Sequence, residues 1–122
     1  MKKILSVLLL SLFTLLPMQV QGLFVSYNQI ENGKYEAVIY YSSTTGQKST
    51  YELAVTVTND VVTAIHFGNG GSVHSGFNNE GYTYSGGQLS FSRDYHGNIT
   101  GASTTVKVTY PNGTTQYFQI EL

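Results

Sequence analysis

Through most of the chain, apolar and polar residues take turns with a period of two. Tyr51, Leu53, Val55 and Val57 alternate with Glu52, Ala54, Thr56 and Thr58. Val61, Thr63, Ile65 and Phe67 alternate with Val62, Ala64 and His66, and Thr104, Val106, Val108 and Tyr110 with Thr105, Lys107 and Thr109. Phe118, Ile120 and Leu122 close the chain in the same way. Successive side chains of an extended strand point to opposite faces, so this alternation predicts strands buried on one side. The stretch 35–41 is apolar at nearly every position, which predicts a central strand. Helical spacing is absent.

Turn chemistry punctuates the pattern. Asn32-Gly33, Thr44-Thr45-Gly46, Asn59-Asp60 and Pro111-Asn112-Gly113 each separate two β-rich runs. Asn, Asp and Gly tolerate the positive φ that tight hairpins demand. Asn32-Gly33 should join a strand at 24–30 to one at 35–42. The fold expected is all-β: a single small antiparallel β-sandwich or barrel of about seven strands, mostly a meander.

Residues 68–87 break this rhythm. Seven of the thirteen glycines fall here, with Asn69, His74, Phe77, Asn78, Asn79, Tyr82 and Tyr84. Loops of such length without structure of their own are uncommon in small domains and are often functional. Two short strands near 72–74 and 82–84 are the plainer reading. Those seven residues are the expected binding surface, because a rigid β scaffold presents binding groups on its loops.

The start of the chain follows a different pattern. Met1-Lys2-Lys3 precedes an apolar run at 4–16, then Pro17, with Val20 and Gly22 at the −3 and −1 positions of a cleavage site. This is the three-part plan of a secretory signal peptide. The run falls short of the ~20 residues that span a bilayer. Residues 1–22 are therefore expected to be the signal peptide and 23–122 a single domain, periplasmic or secreted, with no membrane span.

With the leader gone, Lys34, Lys48, Arg93 and Lys107 face seven acidic residues, a net charge of −3. Four scattered cations make no phosphate-binding footprint, which argues against nucleic acid. The chain has no cysteine, so its core must hold without disulfides.

Candidate chemistry is sparse. His66, His74 and His96 follow no metal-ligand spacing. No Gly-x-Ser-x-Gly elbow places Ser72, Ser75 or Ser85 as a nucleophile. Gly68-Asn69-Gly70-Gly71 lacks the Lys-Ser/Thr ending of a phosphate loop. Neither enzyme activity nor a cofactor or metal is expected. Asp94-Tyr95-His96-Gly97-Asn98-Ile99-Thr100 resembles, over seven residues, one unit of the YD-repeat shell proteins. The likeness implies a shared turn and nothing about activity. Asn98-Ile99-Thr100 and Asn112-Gly113-Thr114 are glycosylation sequons, expected to stay bare in a bacterial host.

Ten tyrosines are the one marked enrichment. Tyrosine joins a large apolar face to a polar tip and is favoured at binding surfaces. The function expected is non-enzymatic binding of a protein or glycan of the cell envelope. An inhibitor-like or immunity-like protein contact comes first; a carbohydrate-binding module using exposed tyrosines is the alternative, and a structural role with no small-molecule site a further one.

Overall fold

The computed structural model describes residues 2–3 and 28–122. The expected cleavage site and most of the expected signal peptide lie outside the described residues. Nine antiparallel strands form one sheet: β1 (Lys2–Lys3), β2 (Gly33–Ser43), β3 (Lys48–Thr58), β4 (Val61–His66), β5 (Ser72–His74), β6 (Thr83–Gly86), β7 (Ser90–Arg93), β8 (Ile99–Thr109) and β9 (Thr115–Glu121). Their order is β5-β4-β3-β2-β9-β8-β6, with β1 against β2 and β7 against β8. The sheet is all-β, as the alternation predicts, and curls into a nearly closed barrel.

Three hairpins read from the sequence are present. β2 and β3 pair from Gly33↔Val57 to Ser42↔Lys48, β3 and β4 turn at Asn59-Asp60, and β8 and β9 turn through residues 110–114. Asn59 and Asp60 have φ of 52° and 63°, the left-handed pair that a two-residue hairpin requires. Asn28, Gln29 and Ile30 are not strand, so the described end of the expected 24–30 strand is a cap instead. The two short strands within 68–87 exist, yet they do not pair with each other: β5 joins β4 and β6 joins β8.

The core is the inside of the barrel. Tyr35, Ala37, Ile39, Val55, Val57, Val62, Ile65, Val106, Val108, Phe118 and Ile120 are buried. Leu53, expected to be fully buried, is half-buried. The register slips between Thr56 and Val57, so that Val57 faces Val62 while Thr56 faces Ala64. This bulge inserts Thr63 and turns Val62 rather than Val61 into the core.

Closure depends on two glycines. The Gly87 N–H donates to the Thr105 carbonyl of β8 at 3.0 Å, and the Gly87 carbonyl accepts from Val62 N–H of β4 at 2.8 Å. The Leu89 N–H donates to the Asp60 carbonyl at 3.0 Å, and the Tyr84 hydroxyl donates to the Val62 carbonyl at 2.6 Å. The connection from β6 to β7 thus bridges the two ends of the sheet. Gly86 and Gly87 have φ of 86° and 99°. A Cβ on Gly87 would lie 2.5 Å from the Val62 oxygen, and one on Gly86 would collide with the Thr105 oxygen.

Gly87→Ala adds a backbone clash to a left-handed conformation and should cost more than ~2 kcal/mol. Gly97→Ala has the same strain, with φ of 87°, but open space around the new methyl, and should cost ~1–2 kcal/mol. Urea denaturation of both variants checks the order, and equal losses contradict the seam.

Candidate functional site

The two ends of the barrel differ. One end is capped by residues 28–32. The Asp60 carboxylate accepts the Gln29 N–H at 2.8 Å and the Ile30 N–H at 3.2 Å. The Asn32 side-chain oxygen accepts the Asn59 N–H at 2.8 Å. The Tyr35 hydroxyl donates to the Glu31 carbonyl at 2.8 Å. Ile30, thus held, is buried with the core. Burial, reinforced by the charges of Glu31 and Asp60, raises the Tyr35 phenol above its ordinary pKa.

Among the described residues, the other end is open. Inward positions of β2, β3 and β9 continue past the last fully buried layer as Tyr41, Leu53, Tyr51 and Gln116. With Phe67, Phe118, Gln47 and Asn69 they line a cavity of about 480 Å³. Tyr41 meets Tyr51 edge-on at 6.2 Å and 64°, while Tyr41 to Phe118 at 5.3 Å and 53° and Phe67 to Phe118 at 6.3 Å and 35° are tilted. Tyr51 is 44% exposed, although its place in the alternation marks it as a buried residue. Barrel mouths are a recurrent place for binding sites, and apolar lining with few polar groups is their usual character. The Gln116 amide donates to the Tyr41 hydroxyl at 3.0 Å, and the Asn69 oxygen accepts the Gly71 N–H at 2.9 Å. Both amides are therefore already engaged within the protein. Apart from its tyrosines, the lining carries no ionisable side chain.

The seven residues expected from the sequence divide between scaffold and surface. Tyr82 is buried; its hydroxyl accepts the His74 N–H at 3.1 Å and its ring meets Tyr110 at 5.7 Å. Asn78 clasps the Tyr82 backbone, donating to its carbonyl at 2.8 Å and accepting its N–H at 3.1 Å. Tyr84 is tied to the seam, and burial holds its phenol protonated well above the ordinary range. His74 packs edge-on against Tyr82, ring centres 6.1 Å apart. Asn79 is exposed and Phe77 is 86% exposed. Of the seven, only Asn69 lines the mouth. Tyr41, Tyr51, Phe67 and Phe118, which carry the site, come from strands or strand ends. Their signal was a run of inward aromatics beside turns.

No triad assembles from the nucleophile candidates. His74 lies partway along the barrel wall with its Nδ1 against the Ser75 carbonyl at 2.9 Å. The Asp94 carboxylate, at the capped end, accepts the N–H groups of His96 and Asn98 in its own turn. Among the described residues, no three His, Asp or Glu side chains gather as a metal site. Comparison with family models, with curated proteins and with solved structures finds no match for this chain. The geometry itself defines a small antiparallel barrel, capped at one end, with an aromatic mouth at the other.

His66 supplies a pH readout of the fold. Its Nε2 meets the Thr56 hydroxyl at 2.7 Å. Partial burial lowers its pKa, and Lys34 lowers it further. A histidine whose folded pKa lies below its unfolded value of ~6.5 costs no stability above that pH. As pH falls from ~6.5 through the lowered folded pKa, the unfolded state takes up more protons and stability drops. His66→Gln should flatten this acid-side slope of unfolding free energy between pH 7 and 5, measured by urea titration; an unchanged slope contradicts the assignment.

Proposed function

We propose that this chain is a non-enzymatic binding domain, exported from the cell, that holds a protein partner at the barrel mouth. The observation that carries this reading is the mouth itself: an aromatic well of about 480 Å³ sunk into a rigid barrel end. Binding energy at protein interfaces concentrates where one apolar anchor fills a desolvated pocket surrounded by a polar rim. Gln47, Asn69 and Gln116 supply such a rim here. The tilted rings offer no flat platform for a sugar, and two of the three rim amides, Asn69 and Gln116, are hydrogen-bonded internally. An apolar side chain on a partner's loop suits the well better than a hydroxylated ligand does.

Two measurements test this reading. Peptides selected from a displayed library against the domain should carry an apolar anchor and bind Tyr51→Ala at least ~30-fold more weakly, the size of a hot-spot loss. Because Tyr51 is 44% exposed, the variant should keep its stability within ~1 kcal/mol. Peptides that bind the variant equally well place the contact elsewhere. For export, intact mass of protein recovered from outside the cytoplasm should correspond to a chain starting at Leu23. Full-length protein confined to the cytoplasm overturns that part.

A further inference from the structure

We propose that the outer face of β7, β8, β9 and β2 is a second binding site, separate from the mouth, and that its ligand is a neutral, hydroxyl-rich oligosaccharide. Strand register sets outward side chains in rungs across this face. One rung runs Ser90–Ser103–Glu121, the next Thr105–Gln119–Tyr40, the next Lys107–Tyr117–Ser42. An outward face of an antiparallel sheet is ordinarily just solvated. Three features set this one apart.

The first is shape. A trough of about 740 Å³ lies over β7, β8 and β9, and a second depression of about 450 Å³ lies over β2 and β3. They share Gln119. Five strands at ~4.8 Å spacing make the combined groove roughly 19 Å across, room for several sugar rings.

The second is chemistry. Glu121 is the only ionisable residue lining the larger trough, and Lys48 the only charged one in the smaller. With Glu121, Lys48 and Lys107 spread over the whole face, the groove concentrates no charge of either sign and is ill suited to phosphate, to acidic polymers and to strongly charged peptides. Ser90, Ser103, Thr105 and Gln119 are exposed. Among the described residues their side chains make no hydrogen bond within the protein. Hydroxyl and amide groups left free in a concave surface match the donors and acceptors of a sugar. At the mouth, by contrast, the Gln116 and Asn69 amides are engaged internally.

The third is the aromatic pair. Tyr40 is 44% exposed and Tyr117 37%. Tyr40 faces Gln119 and Tyr117 faces Ser42, so the two tyrosines are diagonal neighbours on one face. Such neighbours lie ~7–8 Å apart or less, within reach of a single ligand. They offer apolar surface for the C–H face of a sugar beside the free hydroxyls. An extended peptide is a poorer fit, because peptides add to unpaired strand edges and both edges of β8 and β9 are already paired along most of this face.

The test is titration of the ¹⁵N-labelled domain with neutral tetrasaccharides of glucose, N-acetylglucosamine, xylose and mannose. At least one should shift the amide signals of Ser103, Thr105 and Gln119 in a saturable way. The double variant Tyr40→Ala with Gln119→Ala should weaken that binding by about tenfold or more, and its own spectrum reports whether it is folded. Tyr51→Ala, at the mouth, should leave it unchanged, which separates this site from the one proposed above. The proposal is overturned if none of the four produces a saturable shift, if the shifts centre on Tyr51 and Phe118, or if the folded double variant binds as tightly as the parent.

Discussion

The approach of two strands to the backbone of Gly86 and Gly87 is the constraint on which the rest of the barrel depends. An open sheet of this length leaves β4 and β8 as separate flanks. The seam joins them through Gly87 N–H to Thr105 and Val62 N–H to Gly87, and the Tyr84 hydroxyl adds a third tie at Val62. The strands come so near that no side chain fits between them: a Cβ at Gly87 would meet the Val62 oxygen at 2.5 Å. Glycine is required here on two independent grounds, space and positive φ. Once the seam closes, the interior becomes a core walled by strands rather than one face of a sheet. A chain without cysteine needs that arrangement, since burial supplies most of its stability.

Closure also gives the barrel two ends, and the sequence finishes them differently. At one end Asp60 serves three purposes. It occupies a left-handed turn position, its carboxylate holds the amides of Gln29 and Ile30, and its carbonyl accepts Leu89. That carboxylate draws Ile30 over the end of the core. At the other end no described residue plays a comparable part over Tyr41, Tyr51 and Phe118, and the aromatic layer ends in a cavity. The proposed protein contact follows from this asymmetry. The proposed glycan groove lies on the outer wall and meets the mouth at Tyr41, which lines both.

The sequence made the fold class legible because alternation and turn chemistry are local. Asn59-Asp60 announced its hairpin, and the inward faces of β3, β8 and β9 were readable residue by residue. What went unread depends on distant partners. The slip that puts Val62 in the core belongs to the pairing of β4 with β3. The role of Gly86-Gly87 has no local signal, because its defining neighbours, Val62 and Thr105, are each about twenty residues away. The mouth was missed for a related reason. Period two tells which way Tyr51 points but not where along the strand the core stops, so an inward residue past that limit looked buried. Residues 68–87 stand out for their glycines, yet Tyr82, Asn78 and Tyr84 hold structure together, leaving Asn69 at the mouth and Phe77 and Asn79 exposed away from it.

Native-state amide hydrogen exchange at Val62 and Gly87 tests closure most directly. If the seam is integral to the barrel, both amides exchange only through global unfolding, with the same free energy as Ile39 and Ile120 in the sheet centre. Exchange of Val62 and Gly87 through local opening, at the rate of an exposed edge strand while the sheet centre stays protected, would contradict a barrel closed at these glycines.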